Sequence, residues 1–264
     1  MNFLRKYIVA VFFLLSFLIS WGGWIWFGVT RPALVGFAGA IVLLGGFGPS
    51  LAGLICTWIS EGRQGVLFLL KRILAWRVSG KAYLFAISVP FLLAFLPLIF
   101  FEWMGGSAPR LENLARIPQL LPILISAFLF GGLSEELGWR GFALPKLRPR
   151  HGRVTASLLI GLFWGMWHIP LFALAIPVAS LIGFILVTAI ISILFTALAD
   201  LAHDSVLLAT IFHAAYNTFI IQLPGLLKVQ PVAQHQMFAV LLVVAMVFGV
   251  LWRWRKLSNK QLTK

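Results

Sequence analysis

Residues 128–145 read FLFGGLSEELGWRGFALP. Glu135, Glu136 and Arg140 stand in a run whose other side chains are aromatic, aliphatic or small. The apolar character continues upstream to Pro118. Downstream, Pro145 is expected to end the helix, and the basic stretch KLRPRHGR follows at 146–153. A helix rises about 1.5 Å per residue and a bilayer's hydrocarbon core is about 30 Å thick, so roughly 20 residues suffice to cross it. The run 118–144 meets that length. Ionisable groups at such depth are expensive and need a reason to be there. The stretch therefore reads as a membrane helix whose polar side chains face inward.

The rest of the chain agrees. Of 264 residues, 61% are hydrophobic and 11% charged, against about 45–50% and 25% in soluble domains. That balance excludes a soluble enzyme, a disordered chain and a disulfide scaffold. The single cysteine, Cys56, has no internal partner and reads as packing. Apolar segments suited to spanning lie at about 7–29, 33–57, 82–101, 118–144, 156–175, 179–199, 205–222 and 236–252. The first follows Arg5 and Lys6 but is too long for a signal-peptide core and lacks an A-x-A-like site, so it reads as a retained span. Short alternating segments of a barrel are absent, as is an internal repeat. The expected fold is all-α: one integral membrane domain over 1–264, a polytopic bundle of about eight spans. Residues 62–78, GRQGVLFLLKRILAWRV, are too charged and too short to span and read as an amphipathic helix lying in the cytoplasmic interface.

Lys and Arg number 21 against 7 acidic residues, a formal charge of +14. In a membrane protein this excess reads as positive-inside flanks, and no nucleic acid is expected. With the N-terminus inside, 17 basic residues fall on the cytoplasmic side and 4 outside, namely Arg31, Arg110, Arg116 and Lys228. The expectation is a multi-pass protein of the cell's inner or plasma membrane with both termini cytoplasmic. The longest external loop, 102–117, centres on Gly105-Gly106-Ser107.

Polar residues within the apolar runs form short constellations. They are Glu135-Glu136-x-x-x-Arg140, Trp164-x-x-x-His168, His213-x-x-x-Asn217 and a polar turn from Asp200 to Asp204. His151, His203 and His235 fall in loops or at helix ends and read as surface residues. Counted from the expected cytoplasmic ends, Glu135, His168 and His213 lie roughly 14, 18 and 12 Å deep, a shared layer. Residues four apart face one side of a helix, so Glu136 reaches Arg140 and Glu135 is left for another task. The expected catalytic core is 118–222.

A carboxylate away from bulk water holds a proton more tightly and can take one from water. Glu135 is the candidate base, with His168 holding or activating the water. His213 and Asn217 are candidates to donate hydrogen bonds to an oxyanion. The same set, Glu135, His168 and His213, leaves a zinc ion with an open water position as an alternative, although H-E-x-x-H spacing is missing. Glu136, Arg140 and Trp164 take supporting places. No serine or cysteine pairs convincingly with these groups.

The ordered motifs resemble the CAAX protease and bacteriocin-processing family of intramembrane proteases, also called the abortive-infection family. Its pattern is E-E-x-x-x-R, F-x-x-x-H and H-x-x-x-N/D on separate membrane helices. The match runs through Glu135, Glu136, Arg140, His168, His213 and Asn217, over about residues 118–222. One position departs: Trp164 stands where the pattern has Phe, and Phe163 is one residue off. The resemblance implies a glutamate-dependent, type II CAAX-protease-like endopeptidase acting at the membrane. It implies that Glu135 and His168 activate water while His213 and Asn217 stabilise the oxyanion. The implied partners are membrane lipid and a peptide or protein substrate, prenylated in some members; other members have been labelled metalloproteases. Two other functions compete, a non-catalytic immunity or scaffold protein and a proton-coupled transporter. The latter is disfavoured by the lack of inverted repeats.

Overall fold

A computed structural model describes residues 6–30, 33, 36–105, 111–172, 178–226 and 233–262, with no strand among them. Helix α1 spans Ile8–Thr30, α2 Gly36–Gly46 and α3 Gly48–Lys71. Helix α4 spans Gly80–Trp103 and α5 Leu120–Ala127. From α5 the chain stays helical through widened π turns, Phe128–Leu133 and Leu137–Ala143, into α6, Leu144–Trp167. Helix α7 spans Val178–Leu201, α8 Val206–Tyr216 and α9 Ala233–Leu262. Where they are described, the eight expected apolar segments lie mostly on helix, with non-helical residues at Tyr7, Ala33, Phe47, His168 and Ser205.

The spans differ from expectation in how they are joined. By length and composition, Ile8–Thr30, Gly80–Phe100, Ala115–Trp167 and Ser180–Leu201 are each sufficient to cross. The expected span 33–57 is instead a bent pair: α2 and α3 meet at 51°. Pro49 in the first turn of α3 lacks the N–H that would continue the ladder from α2. Ala115–Trp167 has 53 helical residues, roughly 80 Å of rise and far more than one crossing needs. Gly152 divides it with φ +74° and ψ 170°, a conformation costly for any residue with a Cβ. Gly152 thus parts the two expected spans into separate helices across a kink. Val206–Gln222 is shorter than the other candidates.

Large apolar side chains line the outside, among them Leu14, Leu18, Leu84, Leu186 and Phe248, each more than half exposed. That is the arrangement of a molecule solvated by lipid, and the protein is integral to a membrane. The interior is aromatic. Phe12 packs edge-on to Trp139 with centroids 5.3 Å apart, and Trp24 lies 4.5 Å from Trp167. Cys56 is fully buried in this core. Helices α6 and α7 cross closely because Gly161 offers no side chain: a Cβ there would meet Thr188 O at 2.4 Å. Ser157 Oγ donates to Thr196 Oγ1 across the same seam at 2.6 Å.

Three segments expected on one side of the membrane are tied together at one end. Lys146 pairs with Glu61. Arg148 reaches Asp200 and Asp204, both at 2.9 Å, and Arg153 reaches Asp200 at 2.8 Å. Asp200 to Asp204 is indeed a tight polar turn, with His203 and Asp204 at φ 51° and 61°. Ser205 then caps α8 by accepting from Leu208 N.

The segment 62–78 is a helix from beyond the Gly62 break to Lys71, then a 3-10 turn Arg72–Leu74 and extended chain. One face holds Leu69 against Leu137 and Val206; Phe68, Leu74 and Trp76 remain exposed. Arg72, within this basic segment, turns inward. Its guanidinium donates to Gly141 O at 2.6 Å, Asp204 O at 2.8 Å and Arg140 O at 3.1 Å. It thereby joins the segment to the π turn that carries Arg140 and to the α7–α8 turn. Gly106 and Ser107 of the external loop, together with the side chain of His235, lie outside the described residues.

Candidate active site

The two glutamates sit on the short α-helical turn Ser134–Glu136, between the two π turns. π turns insert an extra residue per turn and recur at functional sites. Here they rotate successive side chains toward α6 on one side and α8 on the other.

Glu136 is fully buried and gathers two partners on one oxygen. Arg140 Nη1 donates to Glu136 Oε1 at 2.9 Å, and His213 Nδ1 to the same atom at 2.7 Å. The i,i+4 clamp expected between Glu136 and Arg140 is present. Its extension to His213 is not legible in the spacing. Arg140 also donates to Ser192 Oγ at 3.2 Å and lies 3.8 Å from the Phe195 ring centroid and 4.9 Å from that of Trp164. An arginine in hydrocarbon thus has a carboxylate, a hydroxyl and two aromatic faces around it, which offsets its desolvation.

Glu135 is 5% exposed. Its Oε2 accepts from Trp164 Nε1 at 2.6 Å. Of the two acids, it is Glu136 that bonds a histidine. The His213 ring stands edge-on to Trp164 with centroids 5.3 Å apart, and His168 is 6.1 Å from the same indole. Glu135, His168 and His213 are therefore gathered around Trp164.

Hydrogen bonding assigns the ring nitrogens. A carboxylate and a carbonyl only accept, so the nitrogen facing each carries the proton. His213 Nδ1–H points at Glu136. His168 Nδ1–H points at Trp164 O at 2.9 Å, which leaves His168 Nε2 as an acceptor in the neutral ring. His168 is the cap residue of α6 and packs among Trp167, Phe172 and Phe184. Donation from His213 Nε2 requires the doubly protonated ring, with Glu136 as counter-ion.

Asn217 opens a third π turn, Asn217–Gln222. A Cβ at Gly131 would lie 2.7 Å from Asn217 Nδ2 and 3.8 Å from His213 Nε2. Both nitrogens approach the same bare backbone, one turn from Glu135. A hollow of about 490 Å³ opens there, with Ser126, Phe130, Gly131, Asn217 and Gln222 among its walls. Gly131→Ala should displace Asn217 and lower any activity that needs it by about 10²-fold, the effect of removing one oxyanion donor. Adding Asn217→Ala to that variant should then reduce the rate little further, as steady-state kinetics of the two single variants and the pair would read.

Among the described residues no three His, Cys, Asp or Glu side chains are grouped to hold a metal ion. His213 Nδ1 and His168 Nδ1 are engaged with Glu136 and a backbone carbonyl, which leaves the Nε2 atoms of both rings to face a ligand, and no step below runs through a metal. His151 is exposed, and His203 lies in the polar turn.

Residues 117–219 match the family described as type II CAAX prenyl endopeptidase Rce1-like. Over 71 residues the chain is 38% identical to CAAX prenyl protease 2 of Methanococcus maripaludis. That stretch is 27% of this chain and 23% of the archaeal protein, so the likeness covers under a quarter of the relative's length. The family match takes in every motif residue from Glu135 to Asn217, now seen on three neighbouring helical segments, and over this stretch the chain is similar to the type II CAAX prenyl endopeptidases.

Proposed function

We propose that the protein is an intramembrane endopeptidase that hydrolyses a peptide bond of a membrane-associated protein or peptide. Water binds between Glu135 and His168, whose Nε2 accepts one of its hydrogens. Glu135 takes the other proton as the water oxygen attacks the carbonyl carbon. The oxygen of that carbonyl becomes an oxyanion facing His213 Nε2 and Asn217 Nδ2. Glu135 then passes its proton to the amide nitrogen, the C–N bond breaks, and the new carboxylic acid gives up its remaining proton to the departing amine, so that a carboxylate and an ammonium leave. Glu136 and Arg140 hold His213 in place. The substrate chain enters from the hollow beside Gly131, and both termini of the enzyme lie in the cytoplasm.

The observation that carries this reading is a buried acid one turn from a glycine against which an imidazole and a carboxamide both abut. A general base and oxyanion donors on opposite sides of one small space are what amide hydrolysis needs. The relative's printed name refers to a prenyl protease, so the probe is an internally quenched peptide made with and without a farnesyl-cysteine. Purified chain in liposomes should cleave at least one of the two. Glu135→Gln, inserted and folded to the same extent, should cleave neither. Equal cleavage by the Gln variant overturns the proposal.

A further inference from the structure

Trp164 stands where the pattern of related sequences has phenylalanine, and an indole has what a phenyl ring lacks, an N–H donor. The side chain is 4% exposed, and its Nε1 donates to Glu135 Oε2 at 2.6 Å. The other strong donors nearby are already engaged: Arg140 Nη1 and His213 Nδ1 with Glu136, and Arg140 Nη2 with Ser192. Phe163, one residue earlier, turns away and stacks on Phe13 at 4.0 Å. The backbone of Trp164 meanwhile accepts from His168 Nδ1. One residue thus contacts the acid through its side chain and the second histidine through its carbonyl.

We propose that Trp164 is a positioning residue whose N–H fixes the Glu135 carboxylate, occupying one oxygen and turning the other toward the attacking water. The inference rests on the hydrolytic reading of Glu135 and adds to it. A glutamate has three side-chain torsions, and a carboxylate in a small cavity can settle in several rotamers. A charge-assisted bond from a rigid, buried donor selects one of them. Members of the family with phenylalanine here must hold the acid by other means, so the device belongs to this chain's own sequence.

Two readouts test it on the full chain in liposomes. In ultraviolet resonance Raman spectra, the difference between wild type and Trp164→Phe isolates this indole from the other tryptophans. Its N–H-sensitive band should sit at the frequency of a strongly bonded indole and move to that of an unbonded one in Glu135→Ala. A band that does not move overturns the proposal. With the quenched peptides above, Trp164→Phe should lower kcat at least about tenfold, the effect of losing a hydrogen bond to a charged group, while KM stays within about twofold. Should Trp164→Phe fail to fold, benzothienylalanine at 164 keeps the shape of tryptophan without the N–H and serves for both measurements. Wild-type kcat in that isostere overturns the inference even where Glu135→Gln is inactive and the hydrolytic reading holds. An active Glu135→Gln overturns the hydrolytic reading, and this inference with it.

Discussion

Glu135→Gln should lower the cleavage rate by about 10²–10⁴-fold, the range over which a positioned general base acts, and leave the unfolding transition unchanged. The amide is isosteric with the carboxyl, and its carbonyl oxygen can still accept from Trp164 Nε1, so the one bond Glu135 is seen to make survives. What the variant loses is the capacity to take a proton from water and return it to the leaving amine. The substitution therefore separates chemistry from architecture. Parallel measurement of kcat on the quenched peptides and of thermal unfolding in detergent checks it. A kcat within about tenfold of wild type would remove Glu135 from the role of base.

The neighbouring residue should behave in the opposite way. Glu136→Leu should destabilise the folded protein by about 3–5 kcal/mol, the usual consequence of removing one partner from a buried ion pair. Glu136 and Arg140 are both almost completely shielded, and Glu136 Oε1 is the meeting point of Arg140 and His213. Without it a guanidinium stays in the interior with only Ser192 and two aromatic faces. Activity should fall as well, since His213 loses the contact that orients its ring. The double substitution Glu136→Leu/Arg140→Met should recover part of the stability, because two apolar side chains replace a broken pair, and recover none of the activity. Thermal unfolding of the two single variants and the double variant decides this. A double variant no more stable than Glu136→Leu would show that the pair's contribution lies elsewhere.

Adjacent glutamates with such different parts illustrate how far a linear reading goes. The i,i+4 spacing of Glu136 and Arg140 was legible because a helix turn is short and its geometry depends little on context. The assignment of His213 to Glu136, and of Glu135 to Trp164, was not. Both bonds cross between helices, and the π turns on either side of Ser134–Glu136 shift the rotation of each side chain from that of a regular helix. The indole of Trp164 could be read from the sequence as a donor where a phenyl ring was expected. Its acceptor could not. Arg72 shows the same limit from the other direction. Its place in a basic interfacial segment gave no sign of an inward role, yet three backbone carbonyls from two distant segments take it inward.

By itself the sequence determined that this chain is a helical membrane protein. It also determined which polar residues are out of place in lipid, because hydrophobic run length and the expense of a buried charge depend on residue type and spacing alone. The tertiary structure alone decided which of two consecutive acids holds the imidazole and which faces the indole. It also decided that the second apolar segment is bent and that the kink between the fourth and fifth falls at Gly152. Those outcomes depend on how helices approach and rotate against one another. That is set by close packing at residues such as Gly131 and Gly161, between parts of the chain that no local pattern connects.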